Sequence, residues 1–181
     1  MAPLALPLAL ALEPMSGPFA SRKLACAACT VDRPAPTPEG ALSAEVWADT
    51  SYHPVGPEGS LVSYTLAIRT PAGWFTRSLG QSGTQCGGDA PFSVWWWHKS
   101  TETWSTPTGN RLVLRANVGA EVSQVQVVIC GVGAASRAPE CAELFPSGDA
   151  RADIPAWDTP FALQPDGTLT LGERQYRPEW R

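Results

Sequence analysis

A chain of 181 residues has the length of one domain, since domains commonly run to about 100–200 residues. Apolar residues make up 44% of the sequence, a share typical of globular proteins that excludes a wholly disordered chain. The net charge is −4 and the 13 Lys and Arg residues are scattered, so the sequence lacks the basic stripe by which proteins bind nucleic acids.

The N-terminus is typical of the hydrophobic region of a signal peptide. The stretch from Ala2 to Leu12 carries no charge and is shorter than the ~20 residues that a membrane-spanning helix needs. Pairs of small residues two positions apart, as signal peptidase prefers, occur at Ala9-Leu10-Ala11 within this stretch and at Ala25-Cys26-Ala27 after it. No Lys or Arg precedes the stretch, so a flexible Pro/Ala-rich arm is the alternative. We predict a candidate signal peptide over residues 1–27 and an extracytoplasmic protein (periplasmic, cell-surface or secreted) without a transmembrane helix.

The cysteines also favour export, because disulfides persist in oxidising compartments. No His lies near them in the sequence to complete a zinc site, and they are Cys26, Cys29, Cys86, Cys130 and Cys141. A strand-ending cysteine and a short Gly-containing loop predict the bond Cys130–Cys141, and we expect Cys86 to pair with Cys29 or Cys26.

The fifth cysteine leaves three alternatives open. In the first, cleavage after Ala27 removes Cys26. In the second, Cys26 or Cys29 is the lipidated first residue of a lipoprotein. Lipidation fits poorly, because Lys23 stands where an aliphatic residue is needed. A redox pair formed by Cys26 and Cys29 is the third alternative, although the strand-to-helix context of such pairs is missing.

Residues 28–40 are rich in proline and predict an extended linker, which places the folded domain at residues 41–181. Alternating apolar residues and turn signals then predict strands at Leu42–Thr50, Ser60–Thr70, Trp74–Leu79, Phe92–His98, Arg111–Val118 and Val122–Cys130. Pro165-Asp166-Gly167 predicts a hairpin turn between two later apolar runs. The expected fold is an all-β single domain, an antiparallel β-sandwich or barrel-like structure, with a disordered Pro/Ala-rich N-terminal arm.

The arrangement of strands, turns and cysteines in the sequence resembles that of exported β-rich bacterial proteins for which no activity is known. The resemblance rests on Gly73-Trp74, on Cys86 and on the loop between Cys130 and Cys141, and it covers about half of the chain. It implies export and disulfide bonds, and it implies no particular function.

Three consecutive tryptophans, Trp95, Trp96 and Trp97, are the most unusual feature of the sequence, and Trp104 follows shortly after them. Side chains alternate between the faces of a strand, so we expect Trp95 and Trp97 on one face and Trp96 on the other. Exposed aromatic rings stack on sugars, which makes these four residues candidates for ligand binding. The alternative is packing in the core or beneath a loop, the commoner role of large aromatic side chains.

Catalytic signatures are missing, and we assign no catalytic residue. Ser82 lies in a Gly-rich loop, but the glycine after it comes one position too early for a nucleophile elbow. A triad of Ser82, His98 and Asp89 can be written down, although any chain with two histidines allows something similar.

Metal and cofactor signatures are missing as well. The two histidines have no ligand partner at helical spacing, and Asp149, Asp153 and Asp158 do not follow the spacing of a calcium-binding loop. These aspartates favour a solvated loop, and we assign no metal and no cofactor.

Two functions therefore remain open from the sequence. The first is a non-enzymatic exported binding or envelope-associated module that binds a glycan or another exported protein through the tryptophans. The second is an exported hydrolase whose site follows no recognisable pattern. The lack of paired carboxylates and of a His network favours the first.

Overall fold

In a computed structural model the chain is described over residues 6–35, 43–49, 60–85, 92–119, 123–132, 138–144 and 159–180. These residues form one four-residue helix, α1 (Arg22–Ala25), and fourteen strands. In chain order the strands are β1 (Leu8–Leu10), β2 (Glu13–Pro14), β3 (Ser16–Phe19), β4 (Cys29–Ala35), β5 (Ser43–Asp49), β6 (Ser60–Thr70), β7 (Gly73–Gln85), β8 (Phe92–Thr106), β9 (Gly109–Gly119), β10 (Ser123–Val132), β11 (Pro139–Leu144), β12 (Phe161–Leu163), β13 (Leu169–Leu171) and β14 (Arg174–Pro178).

The strands form two sheets, and the predicted all-β, sandwich-like fold is confirmed. The large sheet has the order β2-β11-β10-β9-β8-β7-β6-β5-β4, and β3 joins it by pairing with β7. From β4 to β11 neighbouring strands are antiparallel, as expected for strands joined by short turns. The small sheet has the order β1-β14-β13-β12.

Apolar side chains pack into two cores, one on each face of the large sheet at β9 and β10. The first core joins residues of β5 to β11 and includes Val46, Leu66, Phe75, Trp96 and Leu114. The second core fills the space between the other face and the small sheet, and it includes Trp104, Val113, Val127, Ile129 and Leu169. Because both faces are covered, every residue from 125 to 130 on β10 is buried.

The N-terminal residues differ from the disordered arm that the sequence favoured. β1 pairs in parallel with β14, β2 pairs with β11, and β3 pairs with β7. Met15, between β2 and β3, is buried in the first core. The signal peptide predicted for residues 1–27 stays a prediction.

Residues 29–35, expected in a linker, form β4 and pair with β5. Proline lacks the N–H that a central strand needs, so it is tolerated mainly at the edge of a sheet. β4 is such an edge strand and contains Pro34. The proline-rich composition therefore led the prediction away from a strand that only its position at the edge permits.

The hairpin turn at Pro165-Asp166-Gly167 is confirmed. Gly167 has a φ of +86°, and its N–H donates to the carbonyl of Gln164 at 3.1 Å. The turn joins β12 to β13 and so forms one edge of the small sheet.

Candidate functional site

Trp96 and Trp97 lie on opposite faces of β8, as strand alternation predicts. Trp96 is in the first core with 4% of its surface exposed, whereas Trp97 is 70% exposed. The side chain of Trp95 lies outside the described residues, so the expectation that it shares the face of Trp97 stays a prediction.

The indole of Trp96 is held by a stacked ring, by a close backbone and by a hydrogen bond at its nitrogen. Its ring stacks on Tyr64 with the centroids 4.5 Å apart. Gly80, which has a φ of +153°, lies against the indole, and a Cβ at this position would be 3.1 Å from Trp96 Cδ1. The indole Nε1 donates to Gln126 Oε1 at 2.8 Å. Trp96 is thus a fixed core residue whose ring is closed to a ligand.

Gln126, which accepts the hydrogen bond from Trp96, makes two further hydrogen bonds in the interior of the protein. Its Nε2 donates to the carbonyl of Leu79 at 2.8 Å and to Glu143 Oε1 at 2.7 Å. The other oxygen of Glu143 accepts from Arg77 Nη2 at 2.7 Å. A side chain that is 1% exposed thereby has all its hydrogen-bonding groups satisfied, as a buried amide requires. Sequence alternation placed Gln126 on the face opposite Val125 and Val127, but gave no sign that this face is also covered.

Polar side chains of β9 lie on the same face as Trp97. Asn117 is directly opposite Trp97 in the pairing of β8 with β9, and Arg115 lies two residues along the strand. The guanidinium of Arg115 is 4.4 Å from the ring centroid of Phe161 on β12, a cation–π contact. An exposed ring, an amide and a guanidinium are therefore brought together beside the small sheet, and only Trp97 among them was predicted from the sequence.

Trp104, the fourth candidate residue, is buried in the second core. Its Nε1 donates to the carbonyl of Gln164 at 2.8 Å, so the indole joins the large sheet to the turn after β12. A fully packed indole with a satisfied nitrogen offers no surface for stacking, and the structure gives Trp104 a packing role.

Two residues of the hypothetical Ser–His–Asp triad are described, and each forms hydrogen bonds with residues outside the triad. Ser82 Oγ accepts from the N–H of Trp96 at 2.6 Å and contacts its carbonyl at 3.1 Å, so it bridges β7 to β8. His98 Nε2 forms its hydrogen bond with Thr101 Oγ1 at 2.7 Å. Asp89 lies outside the described residues.

His98 is partly buried beside Trp96, with the two ring centroids 6.3 Å apart. Burial lowers the pKa of His98 below its ordinary value of 6.5, the positive charge of Arg33 lowers it further, and Asp32 opposes this shift. The neutral imidazole is consequently favoured in the folded protein.

Other predicted sites can be placed only in part. Among the described residues no group of three or more His, Cys, Asp or Glu side chains is arranged to hold a metal ion. Asp149, Asp153 and Asp158 lie outside the described residues. In the same part of the chain, no helix has the length and apolar character needed to cross a membrane.

The described part of the chain contains two disulfides, and the predicted bond Cys130–Cys141 is one of them. These two cysteines face each other in the pairing of β10 with β11, and both are fully buried in the first core. Cys29, which we expected to pair with Cys86, is bonded to Cys26. The predicted pairing of Cys86 with Cys29 or Cys26 is therefore wrong, because both partners are used in this bond. Cys86 itself lies outside the described residues.

Comparison with known proteins gives no family for this chain. No protein-family model matches it, and no curated protein or solved structure matches it significantly. The function has to be argued from the geometry of this chain alone.

Proposed function

We propose that the protein is a non-enzymatic, extracytoplasmic binding module, and that its ligand is a polysaccharide that stacks on Trp97. The observation that carries the proposal is the 70% exposure of an indole on a regular strand. The other large hydrophobic side chains that are exposed in the described residues are aliphatic: Leu6, Leu8, Leu24 and Val31. Burying an indole gains more than burying most side chains, so an exposed one favours a binding role.

The fixed position of β8 supports this proposal. Trp96, the residue before Trp97, is held by Tyr64, Gly80 and Gln126 on the inner face of the sheet. A ring on a strand that is anchored in this way loses little conformational freedom when it binds, because its backbone is already ordered.

The neighbours of Trp97 supply hydrogen-bonding groups that a sugar needs. Asn117 Oδ1 and Arg115 Nε are buried and have no hydrogen-bond partner among the described residues. These two atoms have almost no accessible surface and do not themselves contact a ligand, but both side chains are partly exposed and lie on the face of Trp97. Sugar-binding sites combine an apolar surface with a few polar groups of this kind.

Two disulfides are compatible with an extracytoplasmic location, because thiols are kept reduced in the cytosol of most organisms. The hydrolase alternative had Ser82 and His98 as its candidate residues. Each is hydrogen-bonded to another group, so the one nucleophile–base pair that the sequence suggested is not formed.

Affinity electrophoresis through gels that contain soluble polysaccharides tests the proposal. We expect the wild-type protein to be retarded by at least one neutral or acidic polysaccharide. The Trp97→Ala variant should lose at least about tenfold in affinity, the loss that corresponds to ~1.4 kcal/mol of stacking energy.

Two control variants make this result specific. Trp97→Phe keeps an aromatic ring and should retain most of the binding, whereas Leu24→Ala removes an equally exposed side chain from the N-terminal region and should change nothing. Failure of every polysaccharide to retard the wild type, or equal retardation of Trp97→Ala, would refute the proposal.

A further inference from the structure

One segment near the N-terminus joins two strands that are distant in the large sheet. We call Glu13–Phe19 the closing segment; it consists of β2, Met15 and β3. Its first part pairs with β11, where Met15 N–H also donates to the carbonyl of Pro139 at 3.0 Å. Its second part pairs with β7. Without this segment, β11 would become an edge strand, and residues 74–76 of β7 would keep β6 as a partner but lose the one on their other side.

Side-chain packing shows that the closing segment fits its place closely. Met15 is 6% exposed within the first core. A Cβ at Gly17, where φ is +141°, would lie 2.6 Å from the carbonyl oxygen of Trp74 and 2.9 Å from the ring of Phe75. Only glycine allows this approach to β7, so the segment and the strand are adapted to each other.

Charge pairing ties the segment to the interior as well. Arg77 lies between two carboxylates, with Nη2 2.7 Å from Glu143 and Nη1 3.2 Å from Glu13. Glu143 also accepts a hydrogen bond from Gln126, the partner of Trp96. A series of contacts therefore runs from the closing segment to the residue that anchors the Trp97 strand.

The residues after the closing segment are held equally well. Arg22, in α1, makes two contacts of 2.9 Å with the carboxylate of Glu45. Its guanidinium also lies 5.7 Å and 5.6 Å from the ring centroids of Trp47 and Trp74. Cys26 then closes a disulfide with Cys29 at the start of β4.

We propose that residues from Glu13 onwards are a permanent part of the mature domain, so that proteolytic removal of an export signal ends before Glu13. This inference rests on the extracytoplasmic location in the proposed function. Of the two small-residue patterns, Ala9-Leu10-Ala11 is compatible with it, since a cut there removes only β1 from the edge of the small sheet. A cut after Ala27 would remove the closing segment, α1 and one half of the Cys26–Cys29 disulfide.

Intact mass of the exported protein tests where processing ends. The full chain is expressed in a bacterial host, recovered from the extracytoplasmic fraction and weighed with and without reductant. We expect an N-terminus at Leu12 or earlier and a mass that increases by two hydrogen atoms for each disulfide that the reductant reduces. A mature chain that begins at Ala28 would overturn the inference.

Two variants of the purified full chain test the same inference without export. Met15→Ala should lower the melting temperature by about 5–15 °C, because it opens a cavity in the first core. Ser16→Ala, which changes the exposed neighbouring residue, should lower it by less than about 2 °C. Equal melting temperatures for the wild type and Met15→Ala would show that the segment is dispensable and would overturn the inference.

The mass measurement and the melting temperatures can fail independently of the proposed function. A full-length chain confined to the cytosol refutes the extracytoplasmic location, and the Met15 comparison then decides whether the segment belongs to the domain. Loss of polysaccharide binding by Trp97→Ala affects neither of these two experiments.

Discussion

Trp96 and Trp97 are adjacent in the sequence and have identical side chains, yet the structure gives them opposite environments. Trp96 is 4% exposed, stacks on Tyr64 and donates a hydrogen bond to Gln126, whereas Trp97 is 70% exposed. The difference follows from strand alternation, which sends one ring into the first core and the next to the surface. It teaches that stability and binding can be separated at neighbouring positions, and the following predictions test that separation.

Truncation of the two tryptophans gives the largest expected contrast. Trp96→Ala should lower the free energy of unfolding by roughly 3–5 kcal/mol, the usual effect of removing a large aromatic side chain from a core. Trp97→Ala should lower it by less than about 1 kcal/mol, because its ring is mostly in solvent. Urea unfolding of both variants measures this contrast. Similar small effects at the two positions would contradict the placement of Trp96.

Gln126→Leu tests the polar contacts behind Trp96. The variant removes the hydrogen-bond partner of Trp96 Nε1, of the carbonyl of Leu79 and of Glu143 Oε1. We expect a loss of roughly 2–4 kcal/mol in the free energy of unfolding, since an unsatisfied buried group costs about 1–3 kcal/mol.

Gln81→Leu is the matched control for this variant. Gln81 is exposed and donates to Ser63 Oγ, so its loss should change the free energy of unfolding by less than about 0.5 kcal/mol. Urea unfolding that finds Gln126→Leu as stable as Gln81→Leu would show that the buried hydrogen bonds contribute nothing.

Gly80→Ala tests the contact on the face of the Trp96 ring. The added methyl group would lie 3.1 Å from Trp96 Cδ1 at a φ of +153°, so we expect a loss of about 1–3 kcal/mol. Gly167→Ala is the control, because its φ is also positive but its nearest neighbours are 3.9 Å away. A larger melting-temperature decrease for Gly80→Ala isolates the contact with Trp96, and the reverse order would contradict it.

The smallest expected effect concerns pH and the inward-facing His98. Burial, together with Arg33, lowers the pKa of His98 below 6.5, so the unfolded chain binds a proton more readily than the folded protein. The free energy of unfolding should therefore fall as the pH decreases from above 6.5 towards the pKa of the folded state.

Urea unfolding at about pH 8 and about pH 5.5 checks this sign. The decrease between the two values should be smaller in His98→Asn than in the wild type, because the variant has no imidazole to protonate. A decrease of equal size in both proteins would show that protonation of His98 does not contribute to the pH dependence of the free energy of unfolding.

Local patterns in the sequence were sufficient for much of the fold. Alternating residues predicted β6 at Ser60–Thr70, and Pro165-Asp166-Gly167 predicted the turn between β12 and β13. The bond Cys130–Cys141 was also predictable, because a strand-ending cysteine and a short loop bring the two residues into register. Each of these features depends on residues that are close in the sequence.

Long-range contacts were not predictable in the same way. The closing segment pairs with β11 and β7, which follow it by more than fifty residues, and nothing in its own composition indicates a strand. One of Cys26 and Cys29 was expected to bond to Cys86, and the two bond to each other instead. The order of the strands in the sheet decides such pairings.

The sequence by itself determined that the chain forms short strands, that Trp96 and Trp97 point in opposite directions, and that Cys130 lies near the end of a strand with a partner close by in the sequence. These features follow from the two-residue period of a strand and from turn chemistry, both of which are local. Only the tertiary structure decided which of the two faces is the inside. The small sheet and the first core cover β9 and β10 from both sides, bury Gln126 and Trp104, and leave Trp97 in solvent. Burial depends on what packs against a strand, and that partner comes from elsewhere in the chain.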